Sequence, residues 1–172
     1  MSAAVIVIAI VFTFIFRFVG VVGPSMMETL HDGDWLAVSA YDAKPQYGQV
    51  VIITQPNDYN EPIVKRIIAT ENQVVDIDFG TGDVFVDGVK LDEPYINNPT
   101  TNSYDVQFPV TVPEGCVFVM GDNRQHSSDS RSSAIGFIDT RYILGQVKYK
   151  LVEKDTIADK MKYVSPKNWK VK

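Results

Sequence analysis

Histidine, cysteine and regular helical patterning are what this chain is poorest in. Only His31 and His126 are available as imidazole bases in 172 residues, so a nucleophile here would have to find its base elsewhere. The single cysteine, Cys116, excludes an internal disulfide. It sits in the apolar run Cys116-Val117-Phe118-Val119-Met120, as a buried strand cysteine would. A net charge of −5 argues against nucleic acid as a partner. No His/Cys/Asp/Glu cluster with metal-ligand spacing is evident, and no cofactor is expected. Past the N-terminus no helical repeat recurs, which leaves a β-rich chain of a length that suits one domain.

The long apolar run is at the N-terminus. Residues 3–16 are apolar except for Thr13, and with Arg17 tolerated near an interface the run reaches Val22, giving 20 residues. A bilayer span needs about 20, and an arginine at its edge can snorkel. A cleaved signal peptide would carry basic residues before its apolar core, and none precedes this one. The reading is a single-pass transmembrane helix over residues 1–22. The absent basic flank also removes the usual orientation signal, as a shortened N-terminus would.

Beyond it, short runs rich in branched residues predict strands at Trp35-Leu36-Ala37-Val38, Gln49-Val50-Val51-Ile52-Ile53 and Ile63-Val64-Lys65-Arg66-Ile67-Ile68. Val84-Phe85-Val86-Asp87-Gly88-Val89-Lys90-Leu91 predicts a hairpin, because Asp-Gly suits a tight primed turn. Val117-Phe118-Val119-Met120 and Ile143-Leu144-Gly145-Gln146-Val147 add two more strands. Many short strands with frequent turns predict a mainly β fold, a folded antiparallel sheet or barrel-like domain over residues 23–152. Residues 95–107 read as a long polar loop. Residues 153–172 hold six lysines against three acids, the composition of a solvated basic tail or one lying against anionic lipid.

Three segments carry candidate chemistry. The first is Gly23-Pro24-Ser25-Met26-Met27-Glu28-Thr29-Leu30, at the exit of the apolar run. The second is Val64-Lys65-Arg66-Ile67-Ile68. The third is Gly121-Asp122-Asn123-Arg124-Gln125-His126-Ser127-Ser128-Asp129-Ser130-Arg131. A lysine is protonated at neutral pH, with a free value of about 10.4. Burial disfavours that charge and can depress the value by several units. Ile63, Val64, Ile67, Ile68 and Met26 could wall such a lysine, and a neutral amine can then activate a serine.

The order and composition of these segments resemble type I signal peptidase, in its compact Gram-positive-like form. The Gly-Asp-Asn-Arg-x-x-Ser-x-Asp-Ser-Arg pattern is matched in full by residues 121–131, and Leu91-Asp92-Glu93-Pro94-Tyr95-Ile96 is also similar. The resemblance implies a membrane-bound Ser-Lys endopeptidase of the bacterial cell membrane. Its catalytic domain would lie on the extracytoplasmic side, near the protein-export translocon. It would cut signal peptides from preproteins after small residues, at Ala-x-Ala sites. On that resemblance Ser25 is the nucleophile, Lys65 the general base and Ser127 the hydroxyl that holds the lysine amine. Asp129 and Arg131 are a supporting ion pair, and Gly121, Asp122 and Asn123 set the turn that presents Ser127.

The Ser25 backbone N–H is the natural first oxyanion donor. Some relatives add a serine hydroxyl two positions before the nucleophile. Here that position is Gly23, so a backbone group or water must serve. Gly23 also permits close approach of a substrate backbone. Substrate is expected to add as a strand between residues 21–25 and 62–65, its side chains entering shallow pockets walled by Val21, Met26, Leu30, Ile63 and Val64. For Leu30 and Val64, plain core packing is an equal alternative. Glu28 stands where the family commonly has proline and is expected to face solvent, as is His126. Two other functions stay open at this point: a self-cleaving Ser-Lys protease, and a catalytically silent membrane-tethered peptide-binding module.

Overall fold

The computed structural model describes residues 16–40, 44–57, 60–151 and 161–163. Among these residues, twelve strands form two antiparallel sheets. They are β1 (Phe16–Gly20), β2 (Trp35–Ala40), β3 (Val50–Ile53), β4 (Ile63–Thr70), β5 (Val74–Asp78), β6 (Asp83–Val86), β7 (Val89–Lys90), β8 (Val110–Thr111), β9 (Cys116–Met120), β10 (Ile138–Asp139), β11 (Ile143–Leu151) and β12 (Met161–Tyr163). The larger sheet runs β1-β2-β11-β3-β4-β9-β10, with β12 added to β11; the smaller runs β7-β6-β5-β8. The fold is thus mainly antiparallel β, as the short branched runs predict.

The middle of the large sheet is apolar on both faces, and the sequence shows why. Successive strand residues point to opposite faces, and β3 is branched at all four positions. Val50 and Ile52 face a core with Val21, Met26, Leu30, Leu36, Val38 and Val147. Val51 and Ile53 face a second core with Ile67, Val117, Val119, Ile138 and Ile143. A third core, around Phe118 and Met120, joins the large sheet to the small one through Val75, Val84 and Val86. The Asp87-Gly88 turn has φ of 52° and 77°, the left-handed pair a primed hairpin turn requires.

The expected transmembrane helix does not reach Val22. Phe16–Gly20 is a strand, paired with β2 from Phe16↔Ser39 to Gly20↔Trp35. An apolar run interrupted only by Thr13 and Arg17 has too little polar punctuation for strand and helix to be told apart by period, and here the edge of β2 takes its last part. Residues 1–15 of the expected anchor lie outside the described residues. Among the described residues, no helix is long and apolar enough to cross a membrane. In the basic C-terminal stretch, Met161–Tyr163 pairs with β11; the rest of residues 153–172 lies outside the described residues.

Two features of this topology shape the functional region. β9 begins to pair with β4 only at Arg66, whereas β3 pairs with β4 from Ile63 onward. Ile63, Val64 and Lys65 therefore have a strand on one side and, among the described residues, none on the other. Opposite this open edge the chain leaves β1 and turns through residues 21–34. Val21 donates its N–H to the Asp34 carbonyl at 2.8 Å and accepts from the Gly33 N–H at 2.9 Å.

Candidate active site

Ser25 lies in the turn that follows β1. The Met27 N–H donates to the Pro24 carbonyl at 3.1 Å, and the Leu30 N–H to the Met26 carbonyl at 2.8 Å. Met26 and Leu30 drop into the core beneath and anchor this turn. Gly23 has φ of +87°, a conformation that favours glycine, and its N–H donates to Asp32 Oδ1 at 2.8 Å. Forty residues on, Lys65 emerges from the open edge of β4. Its Nζ donates to Ser25 Oγ at 2.9 Å.

Lys65 is only 3% exposed. Burial lowers its pKa from 10.5 to about 8; the nearby Asp129 and Asp122 carboxylates pull it up, and Arg131 pushes it down. Desolvation wins because each carboxylate already has an arginine partner. Arg131 grips Asp129 through Nε at 2.8 Å and Nη2 at 2.9 Å. Arg66 grips Asp122 through Nε at 2.7 Å and Nη2 at 2.6 Å. Burial pushes the Asp129 carboxyl up, but the bonds and charge of Arg131 and the Gly121 N–H hold it below its ordinary value.

The third motif wraps Ser25 from the other side. The Asn123 N–H donates to the Ser25 carbonyl at 3.0 Å, and Asn123 Nδ2 donates to the Pro24 carbonyl at 3.1 Å. Thr29 Oγ1 donates to Asp122 Oδ2 at 2.5 Å. Gly121 is required by close approach: a Cβ there would come 2.2 Å from Ser127 Oγ and 2.4 Å from the Ser25 carbonyl oxygen. Ser127 is buried with its hydroxyl toward Asp129, whose carboxyl it helps hold below its ordinary value, and it makes no hydrogen bond to Lys65. The expected bond from Ser127 to the Lys65 amine is therefore not formed in this structure. The Ser127 side chain fills the space that Gly121 leaves beside the Ser25 carbonyl, and Lys65 Nζ is bonded to Ser25.

A cleft of about 490 Å³ opens over this pair. Val21, Gly23, Met26, Ile63 and Val64 line it as expected. Leu30 does not; it is wholly buried, because the turn points it inward against Leu36 and Val38. Exposed Glu61 and His126 stand at the cleft wall, and Glu28 faces solvent. No His/Cys/Asp/Glu group that could hold a metal occurs among the described residues.

Sequence reasoning missed part of the surrounding framework. Arg66 follows Lys65 in β4, so strand alternation sends it to the opposite face, where it meets Asp122 and stacks 4.1 Å from the Tyr95 ring centroid. Arg124 pairs with Glu93 through Nη1 at 2.8 Å and Nη2 at 2.5 Å. The available signal was Glu93 and Tyr95 themselves, in the stretch after the hairpin that already looked distinctive.

The family model described as signal peptidase, peptidase S26, matches residues 1–152. Signal peptidase I of Bacillus licheniformis is 36% identical over 156 residues, covering 85% of this chain and 82% of that protein. Signal peptidase I T of Bacillus subtilis is 35% identical over 158 residues, covering 85% and 79%. Signal peptidase IB of Staphylococcus aureus is 32% identical over 167 residues, covering 87% and 84%. With the motifs in order and relatives matched along most of their length, the chain belongs to the signal peptidase family, peptidase S26.

Proposed function

We propose that Ser25 and Lys65 carry out the signal-peptide cleavage of this family, as nucleophile and general base. The chain is a serine endopeptidase that removes signal peptides from preproteins. The observation that carries the residue assignment is the 2.9 Å contact between a buried lysine and the serine beneath the cleft.

In this mechanism neutral Lys65 takes the Ser25 proton as Oγ attacks the scissile carbonyl carbon. The resulting oxyanion meets the Ser25 N–H. The Lys65 ammonium then gives its proton to the departing amine, leaving an acyl-enzyme on Ser25. Lys65 next deprotonates a water, which attacks the ester, and the proton returns to Ser25 as the acid leaves. One base serves both halves, so the scarcity of histidine is no obstacle. Asp129 and Arg131 shape the site without touching the reacting atoms, and Ser127 backs the nucleophile's carbonyl.

Substrate enters as an extended strand between residues 21–25 and the open edge of β4. Val21, Met26, Ile63 and Val64 leave room for small side chains, which suits cleavage after Ala-x-Ala. A single-pass membrane anchor keeps Ser25 near the extracytoplasmic membrane surface, where preproteins leave the translocon. Membrane lipid is thus a partner.

The test is cleavage of a preprotein with an Ala-x-Ala site by the full chain in detergent or lipid, with the cut position read by mass spectrometry. Ser25→Ala and Lys65→Ala are each expected to slow the reaction by at least about a thousandfold. Full cleavage by either variant would overturn the dyad. Self-cleavage in place of preprotein cleavage would favour the self-processing alternative, and binding without turnover the silent module.

A further inference from the structure

The third motif was expected to present Ser127, but its asparagine touches the nucleophile itself. Asn123 is 3% exposed and holds two successive carbonyls. Its side-chain Nδ2 donates to Pro24 and its backbone N–H to Ser25. Those carbonyls belong to the two peptide groups on either side of the Ser25 Cα. One residue thus fixes both peptide planes that flank the nucleophile.

The consequence lies at the far end of the first plane. The Pro24 carbonyl and the Ser25 N–H share one peptide group, which is trans and planar. In such a group C=O and N–H point in opposite directions. Holding the Pro24 oxygen on one side therefore aims the Ser25 N–H on the other. A hydrogen bond accepted by the carbonyl also polarises the amide and strengthens its N–H as a donor. Because Gly23 offers no hydroxyl, the Ser25 N–H bears more of the oxyanion's charge than it would beside a serine, and its direction matters correspondingly more.

We propose that Asn123 is a positioning residue that aims the Ser25 N–H at the developing oxyanion by anchoring the Pro24 carbonyl. Its own location is secured from both sides. Asp122, its neighbour, is locked by Arg66 and Thr29, and the His126 N–H donates to the Asn123 carbonyl at 3.0 Å. Asn123 Oδ1 is buried without a hydrogen-bond partner. Such an atom is costly to retain, which fits a side chain kept for its amide donor. The inference rests on the Ser25-Lys65 reading above.

The experiment compares the full chain with Asn123→Ala and Asn123→Asp. The aspartate keeps the shape but faces the Pro24 carbonyl with an acceptor. Sites are titrated as folded protein, from the amplitude of the cooperative urea transition, so a folding defect lowers the count and leaves the rate per site unchanged. Misplacing an oxyanion donor is expected to lower kcat per titrated site by about 10- to 100-fold in both variants, with KM within about twofold. Inhibition by a peptide boronic acid, whose tetrahedral adduct places a charged oxygen at the same spot, should weaken in parallel with kcat. The acidic limb set by Lys65 should stay in place.

Unchanged kcat per titrated site would overturn the inference. So would a fall in kcat with undiminished boronate affinity, or a limb that moves along with the rate. No cleavage by the unsubstituted protein would overturn the Ser-Lys reading itself, and with it this inference. Cleavage by the parent with Asn123 variants equally active would overturn the inference alone.

Discussion

Lys65 gives the sharpest prediction, a pH profile whose acidic limb belongs to a lysine. With a pKa of about 8, roughly 9% of the enzyme carries a neutral amine at pH 7, whereas an ordinary lysine at about 10.4 would offer roughly 0.04%. Burial therefore supplies on the order of 200-fold more competent base at neutral pH, equivalent to about 3 kcal/mol. The assay is kcat/KM for a short Ala-x-Ala reporter peptide from about pH 6 to 10, since that ratio reports the free enzyme. The rate should rise tenfold per pH unit below about 8 and then level off. The limb should move little with salt, because the charges that tune Lys65 are buried and screened less than exposed ones. A limb that stays in the ordinary lysine range would refute the desolvation argument. A limb that disappears in His126→Ala would transfer the base to the histidine on the cleft wall.

Three further outcomes follow from the same geometry. Lys65→Met should stabilise the fold at neutral pH by up to about 3 kcal/mol, read as a shift in urea midpoint. Below pH 8 the parent buries a proton its unfolded chain binds freely, so its stability should climb between about 8 and 10.5 while the variant's stays flat. Gly23→Ser meets no atom within 4 Å of its Cβ, yet the residue sits at φ +87°; the variant should lose about 1–2 kcal/mol of stability, and a melting temperature equal to the parent's would show that the turn relaxes. Arg131→Met leaves Asp129 buried without its partner, which should cost about 3–5 kcal/mol in chemical denaturation. It should also move the acidic limb above 8, since Arg131 opposes the pull of Asp129 on Lys65.

The site was more legible than the fold, for a physical reason. Ser25, Lys65, Asp129 and Arg131 sit in segments whose residue types are chemically unusual together, and the structure sets buried Lys65 against half-buried Ser25 with the Asp129–Arg131 pair acting on the lysine's charge. The hairpin at Asp87-Gly88 was legible because two adjacent residues must adopt positive φ. Strands β8 and β10 were not, because two-residue strands exist only through their partners. Val74–Asp78 carries its signal in strict alternation of buried and exposed positions, but two of its five residues are aspartates, which strand propensity disfavours. Phe16–Gly20 was hidden in an apolar run whose continuity suggests a membrane span, and only pairing with β2 separates it. Leu30 and Ser127 show the limit at single-residue level. Motif position brings each close to Ser25, but whether a side chain faces the cleft, the core or the lysine is settled by a turn several residues away.

The charged residues around the dyad make sense as a balanced set. A buried lysine is neutral only if the acids near it do not restore its proton, and both Asp122 and Asp129 favour that proton. Yet both carboxylates also hold backbone and side chains of the site in place. Asp122 ties the Ser25 turn to the third motif through Thr29, and Asp129 receives the Gly121 N–H where the chain passes close to the Ser25 carbonyl. Each is therefore supplied with a bidentate arginine, a donor that cannot be deprotonated and whose fork matches a carboxylate. Buried ion pairs contribute little net stability, so stability alone does not account for two of them here. Their effect is to let acids organise the site while their charge is cancelled locally. Arg66 shows the same logic from the strand's side. It is the residue next to Lys65, pointing the other way, and it pairs with an acid that favours the Lys65 proton.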